Sequence, residues 1–231
     1  MRKPFLTAAW RDLVLLNWRV DSALLQQYVP TGTELDPWEG ENWVSLVGFR
    51  FLNLAVKGVP AIGHRDFPEI NLRFYVRREV DGEVRRGVVF LRELTPRRIV
   101  EWVARAVYNE PYATLPMRAR VEESQTAYEL DLNGVTQRIA VTPNGEWRSP
   151  EPIEEFFIEH YWGYNRQTDG GTMEYEVTHP KWQVRPVELA QFNLDVETLY
   201  GDEWTKVLSG EPDSVVLADG SAVAVFSGNL I

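Results

Sequence analysis

Apolar and polar residues alternate strictly through positions 69 to 76, within the stretch PEINLRFYV. Successive side chains of a strand point to opposite faces, so this pattern predicts an extended strand with one apolar and one polar face. The apolar face holds Ile70, Leu72, Phe74 and Val76. The polar face holds Glu69, Asn71, Arg73 and Tyr75. The polar face is exposed either to bulk water or to a pocket that binds a ligand.

A tight hairpin is predicted directly after this strand. Asp81-Gly82 supplies the positive φ angles of a type I′ turn. The two-residue turn fixes the pairing register, which places three pairs opposite one another: Tyr75 and Val88, Arg73 and Phe90, Asn71 and Arg92. Apolar partners beside polar side chains favour a semi-enclosed cavity. The alternative, an Arg-Glu pair covered by a helix or by a second subunit, stays open at this point.

The rest of the chain predicts mostly antiparallel strands with about three short helices. The helices are expected to begin near Asp21, near Thr95 and near Ser149, which act as caps or precede a proline. Asn133-Gly134 predicts a second hairpin. The second helix carries an apolar stripe of Ile99, Val100, Val103 and Val107. One α+β domain over residues 1–231 is the simplest interpretation.

Composition narrows the range of partners. The chain carries a formal net charge of −10, which would repel the phosphates of a nucleic acid, and 44% hydrophobic residues, which can fill a sizeable core. It has no cysteine, which excludes disulfides and thiolate sites, and no apolar stretch long enough to span a membrane. We therefore expect a cytoplasmic protein with no nucleic-acid or membrane partner.

No motif in the sequence predicts a cofactor or a metal ion. Glycine-rich phosphate-binding motifs and the serine nucleophile elbow are absent. The histidines are His64, His160 and His179, and they lack the spacing and the acidic neighbours of a zinc site. A structural role is favoured for each of them.

Several segments resemble the YqjF-like family of uncharacterised bacterial proteins, which is in turn similar to acetoacetate decarboxylase. They include RDLVLLNWRVDSALLQQYVPTGTEL, FPEINLRFYV, GVVFLREL, AVYNEPYATLPM and EHYWGYN, spread over residues 8 to about 185. The resemblance implies an α+β fold built as a mostly antiparallel β barrel or cone with a few flanking helices and a cavity.

The same resemblance implies inward positions for Arg11 and Glu69, which match an arginine and an active-site glutamate of the decarboxylase. Tyr112 and Ala113 stand where the decarboxylase has its lysine pair, and the four lysines of this chain lie elsewhere: Lys3, Lys57, Lys181 and Lys206. A Schiff base requires an amine, so that reaction is not expected. Arg105 matches the motif's arginine, but helical periodicity sets it opposite the apolar stripe and favours exposure to solvent.

We expect the cavity to bind a small organic acid or oxo compound. Glu69 would act as a catalytic acid or base, and Arg11 and Arg73 would neutralise a carboxylate or enolate and keep Glu69 ionised. Tyr112 and Asn71 would complete the ligand-binding set.

Two classes of function stay open, an enzyme of unknown reaction and a non-catalytic ligand sensor or structural module that keeps the cavity. A pure binder can tie Glu69 permanently to an arginine, whereas a catalyst needs it free. Either class is compatible with a homo-oligomer. Large aromatic residues are usually buried, so most of four tryptophans are expected in the core: Trp38, Trp43, Trp162 and Trp182.

Overall fold

The computed structural model describes residues 2–231, apart from the side chains of Val107, Tyr108 and Ala190. The strands are β1 (Leu6–Val20), β2 (Glu34–Leu35), β3 (Asn42–Val56), β4 (Val59–Pro60), β5 (Phe67–Val80), β6 (Glu83–Thr95), β7 (Tyr112–Thr114), β8 (Met117–Glu122), β9 (Gln125–Leu132), β10 (Val135–Pro143), β11 (Trp162–Arg166), β12 (Thr172–Thr178), β13 (Val184–Arg185), β14 (Val187–Asn193), β15 (Ser214–Val225) and β16 (Asn229–Leu230). The helices are α1 (Ser22–Gln26), α2 (Arg98–Tyr108), α3 (Pro152–Ile158), α4 (Val196–Tyr200) and α5 (Asp202–Leu208).

A closed ring of strands forms the larger sheet. Its order is β15, β1, β3, β5, β6, β11 and β12, and β12 pairs back onto β15. The closing contact joins Val177 to Val225 and Thr178 to Ala224. The neighbours in the ring are antiparallel except for β6 and β11. The predicted α+β fold of mostly antiparallel strands with flanking helices is confirmed.

A second sheet, with the order β14, β10, β9 and β8, packs on the outside of the ring. The layer between them is the main hydrophobic core. It contains the whole apolar face of β5, and Ile70, Leu72, Phe74 and Val76 are each 0% exposed. The alternation of residues 69 to 76 therefore separates a core face from an inner face of the ring.

Both predicted hairpin turns are confirmed. Asp81 and Gly82 have φ angles of 51° and 83°, and Val80 pairs with Glu83. Asn133-Gly134 turns in the same way between β9 and β10.

The helices agree with the sequence prediction only in part. Asp21 caps α1 by accepting a hydrogen bond from the Ala23 N–H, as predicted. The second helix begins at Arg98 rather than near Thr95, because Thr95 continues β6 and pairs with Thr114 of β7. The third begins at Pro152, after the N-cap Glu151, rather than near Ser149.

The short helices α4 and α5 were not predicted. Across the described residues 2–231, no helix has the length and apolar character needed to cross a membrane.

Candidate functional site

A cavity of about 350 Å³ lies inside the ring. Each of the seven ring strands contributes to its wall, and α2 adds Ile99, Val100 and Val103. The side chain of Val107, the last member of the predicted stripe, lies outside the described residues. The wall is mainly apolar and rich in aromatic rings: Trp10, Phe49, Phe51, Phe67, Phe90 and Trp162. Ile62 and Ile99 also line the cavity and are 86% and 45% exposed, so its mouth lies between them.

The polar face of β5 points into this cavity. Glu69, Asn71 and Arg73 all line it, and the first two are each only 2% exposed. Tyr75, the fourth member of that face, is buried beside them, where its hydroxyl group meets Ser45. The structure thus answers the question raised by the alternating pattern, since this face does not meet bulk water.

A β-bulge in β6 brings a second glutamate into the cavity. Arg73 pairs with Phe90 as predicted, but Leu72 pairs with Arg92, which leaves Leu91 as an extra residue. Asn71 consequently lies opposite Glu93, and the prediction that it faces Arg92 is wrong. Beyond the bulge, the side chains of β6 that would have pointed outwards point inwards, so Glu93 lines the cavity.

A third glutamate enters from the end of α2. Asn109 ends the helix in the left-handed conformation, with a φ of 55°, and the next residue, Glu110, turns back into the cavity wall. Tyr112 follows on β7, where parallel pairing sets it beside Glu93. Glu93, Glu110 and Tyr112 are 2%, 8% and 7% exposed. We refer to Glu69, Glu93 and Glu110 as the glutamate cluster.

Hydrogen bonds from neutral donors hold two members of the glutamate cluster. The Tyr112 hydroxyl donates to Glu69 Oε2 at 2.8 Å, and Asn71 Nδ2 donates to Oε1 of the same carboxyl at 3.3 Å. The Tyr175 hydroxyl donates to Glu110 Oε1 at 2.5 Å. Glu93 Oε2 and Asn71 Oδ1 are buried and have no hydrogen-bond partner among the described residues. The cluster therefore offers unused polar atoms to the cavity.

Burial changes the acidity of these groups. Desolvation raises the pKa of Glu69 to about 8, and the nearby Glu110 adds to the rise although Tyr112 and Asn71 oppose it. Desolvation also raises the pKa of Glu110 to about 7. The pKa of Glu93 lies well above its ordinary value because of burial and of the charges of its two glutamate neighbours. Near neutral pH the cluster thus holds protonated carboxyl groups alongside partly ionised ones.

The expectation that two arginines keep Glu69 ionised is wrong. Neither Arg11 nor Arg73 forms an ion pair or hydrogen bond with Glu69, whose partners are the phenol of Tyr112 and the amide of Asn71. Without an adjacent cation, desolvation dominates and favours the protonated form.

Arg11 does not line the cavity, although the resemblance implied an inward position. Asp12 adopts a φ of 57° and forms a bulge against β3, since Arg11 pairs with Arg50 but Val14 pairs with Gly48. The bulge reverses the facing of β1 at this point. Arg11 Nη1 instead donates to the Gly220 carbonyl at 2.8 Å, half-buried outside the cavity.

Arg73 lies further along the cavity wall, beside His160. Arg73 Nη2 donates to the Phe157 carbonyl at 3.0 Å. His160, which also lines the cavity, packs against Tyr75 with a centroid distance of 4.7 Å and the rings tilted by 36°. Sequence reasoning gave His160 only a structural role.

Other predicted residues have the following positions. Arg105 is 64% exposed and pairs with Glu101, which confirms its exposure to solvent. Trp43 and Trp182 are buried, whereas Trp38 and Trp162 are half-buried, and Trp162 and Trp182 line the cavity. Among the described residues, no lysine lines the cavity and no group of three His, Asp or Glu side chains is arranged to hold a metal ion.

Comparison with known proteins identifies the family. Residues 7–222 match the model of the DUF2071 family, described as an uncharacterized conserved protein. The chain belongs to this family. The chain is also 33% identical over 111 residues to the uncharacterized protein YqjF of Bacillus subtilis, which confirms the resemblance. That match covers 48% of this chain and 44% of YqjF, so it spans less than half of either protein.

Solved structures show that the DUF2071 chain has the acetoacetate decarboxylase fold. The decarboxylase of Legionella pneumophila superimposes with a TM-score of 0.68 at 15% identity, over 100% of this chain and 88% of that one. The enduracididine biosynthesis enzyme MppR complexed with pyruvate gives 0.66 at 13% identity, over 100% and 91%. An acetoacetate decarboxylase-like enzyme from Sphingomonas wittichii gives 0.66 at 11% identity, over 100% and 94%. At these identities the likeness establishes the fold alone.

Proposed function

We propose that this protein binds a small oxo compound in the ring cavity, with the carbonyl oxygen at the glutamate cluster, and transfers a proton to and from it. The single observation that carries the proposal is the cluster itself: three buried carboxyl groups share an apolar cavity, and no cation of the described residues is among their hydrogen-bond partners. The apolar wall suits the carbon skeleton of such a ligand.

The chemistry follows from the mixed protonation of the cluster. A protonated carboxyl group donates a hydrogen bond to the carbonyl oxygen, and an ionised neighbour accepts the proton from the adjacent carbon. The carbon–hydrogen electron pair then forms the enol double bond, the π electron pair of the carbonyl moves onto its oxygen, and that oxygen takes the proton of the acid. The proton count of the cluster is unchanged, so the step needs no lysine and no co-reactant.

Two further observations support the proposal. Glu69 is bonded to a phenol and an amide rather than locked to an arginine, so it remains free to exchange its proton. The structurally similar MppR has been solved in complex with pyruvate, which is an oxo acid. We also propose that the protein is cytoplasmic.

Exchange of the protons adjacent to a carbonyl with solvent deuterium tests the proposal. We expect the protein to accelerate this exchange in 2-heptanone at a pH of about 7, and Glu69→Gln to slow it by about a hundredfold or more, as for the loss of a general acid or base. The exchange is followed by proton NMR. The matched control is Glu122→Gln, because Glu122 is exposed on β8 and far from the cavity wall.

The outcomes separate the competing functions. Equal exchange in the unmodified protein and in Glu69→Gln contradicts the proton-transfer step. Binding of the ketone without any exchange supports the non-catalytic alternative, a ligand sensor that keeps the cavity. Failure to bind both 2-heptanone and its carboxylated analogue 6-oxoheptanoate contradicts both functions.

A further inference from the structure

The cavity has acidic side chains at one end of β5 and a basic side chain towards the other. Glu69 and the rest of the glutamate cluster lie at one end, and Arg73 lies four residues further along the same strand. Four residues of an extended strand cover about 13 Å between Cα atoms. The guanidinium group of Arg73 does not reach the cluster, since no ion pair joins them.

No carboxylate in the described part of the chain forms an ion pair with Arg73. The other guanidinium group near His160, that of Arg86, donates to Asp36 at 2.6 Å and is neutralised by it. Arg73 forms no ion pair within residues 2–231; its Nη2 donates to a backbone carbonyl, and its buried Nε has no hydrogen-bond partner there. Arg73 is half-buried, and a partly desolvated cation without an ion-pair partner is unfavourable, so a bound anion relieves that cost.

His160 adds an unused polar group at the same end. It is 8% exposed and lines the cavity, and neither ring nitrogen has a hydrogen-bond partner among the described residues. Its Nε2 lies 3.9 Å from Asp36 Oδ2, beyond hydrogen-bond distance. Burial lowers the pKa of His160 to about 4, so the neutral ring carries one N–H donor.

We propose that Arg73 and His160 form a carboxylate subsite, and that the ligand is an oxo acid in which several apolar carbons separate the carboxylate from the carbonyl. The inference rests on the proposed function, which sets the carbonyl at the glutamate cluster. The carboxylate accepts charge-assisted hydrogen bonds from Arg73 and a hydrogen bond from His160. The aromatic wall between the two ends contacts the carbon chain.

A matched pair of ligands tests this subsite. 6-Oxoheptanoate and 2-heptanone share the same methyl ketone and chain length, and they differ only in a terminal carboxylate. By calorimetric titration we expect the unmodified protein to bind the oxo acid at least about tenfold more tightly than the ketone. In Arg73→Gln this preference should fall to about one, and in Arg73→Lys, which keeps the charge, part of it should remain.

The control is Arg11→Gln. Arg11 was also predicted to bind the ligand, but it lies outside the cavity. This variant should keep the full preference for the oxo acid. The ratio is measured within one protein, so a variant that fails to fold is recognised by the loss of both ligands. If Arg73→Gln unfolds, Arg73→Lys and His160→Phe carry the test, and each should lower the ratio by about threefold or more.

The results distinguish the two proposals. Binding of the ketone with no preference for the oxo acid, or a preference that survives both Arg73 variants, overturns the carboxylate subsite and leaves the proposed function standing. Failure of the unmodified protein to bind either compound overturns both.

Discussion

The environment of Glu69 determines what this carboxyl group can do. A carboxylate between two arginines would be a permanent anion, but in the described part of the chain Glu69 accepts hydrogen bonds from Tyr112 and Asn71 and has two further glutamates nearby. Its proton is therefore exchangeable in the pH range in which most proteins work. The same environment makes Glu69 a source of instability at alkaline pH.

A Glu69→Gln substitution should reveal this effect in the pH dependence of stability. The pKa of Glu69 is about 8 in the folded chain and near 4.5 when unfolded, so between these values the folded state binds more protons. Stability then falls as the pH rises through this window, by up to about 1.4 kcal/mol per pH unit for one group. Glutamine cannot ionise, so the variant should match the unmodified protein near pH 4.5 and become progressively more stable towards pH 8.

Denaturant unfolding over a series of pH values measures this difference. Glu122→Gln, on the exposed face of β8, should follow the unmodified protein at every pH. A Glu69→Gln effect that stays constant with pH would contradict the raised pKa.

Only part of the site could be predicted, because bulges in two strands change which side chains face the cavity. Alternation in β5 found Glu69, Asn71 and Arg73, and the register of the Asp81-Gly82 turn held as far as Phe90. Beyond Leu91 the bulge places Glu93, and not Arg92, opposite Asn71. A simple alternation of side chains does not predict such a bulge. The bulge at Asp12 turned Arg11 out of the cavity in the same way.

Residues contributed by tertiary packing carry no periodic signal. Glu110 follows a left-handed Asn109, and His160 follows the short helix α3, so neither belongs to a strand pattern. The sequence signal available was the asparagine that opens the segment NEPY, since asparagine favours the left-handed conformation at a helix end.

The pairing of β11 with β12 controls the position of Tyr175. Gly163 lies directly opposite Tyr175, and a Cβ atom at Gly163 would overlap the tyrosine ring. We expect Gly163→Ala to displace the ring and to destabilise the protein by about 1 to 3 kcal/mol, as for other overpacked sites. The hydrogen bond from Tyr175 lowers the pKa of Glu110, so the loss of this bond should raise that pKa.

Chemical denaturation measures the stability change, with Gly210→Ala as the control because a Cβ atom there meets open space. Carboxyl titration by NMR reports the Glu110 shift. Equal stability in the two variants would contradict the close approach of Tyr175 to Gly163.

At the scale of the whole molecule, the ring has the acetoacetate decarboxylase fold. The resemblance anticipated the architecture because its segments are spread over most of the chain, whereas α4 and α5 lay beyond the last of them. In the described structure none of the lysines lines the cavity.

Borohydride trapping tests this finding. Incubation with acetoacetate and borohydride should leave the protein mass unchanged, because a reducible imine requires a lysine at the carbonyl. A lysine-dependent acetoacetate decarboxylase, treated in parallel, provides the positive control. A stoichiometric adduct mapped to any lysine would contradict the expectation.

The position of β1 in the ring affects how the chain must fold during synthesis. β1 lies between β3 and β15, so Leu6 pairs with Val225 although more than two hundred residues separate them. Contacts between such distant residues carry a high loop-closure cost and slow the folding of the domain. A nascent chain on the ribosome has an unpaired β1 edge, open to pairing with other strands, until β15 emerges. The cavity accordingly becomes enclosed late in folding, once β15 has joined the ring.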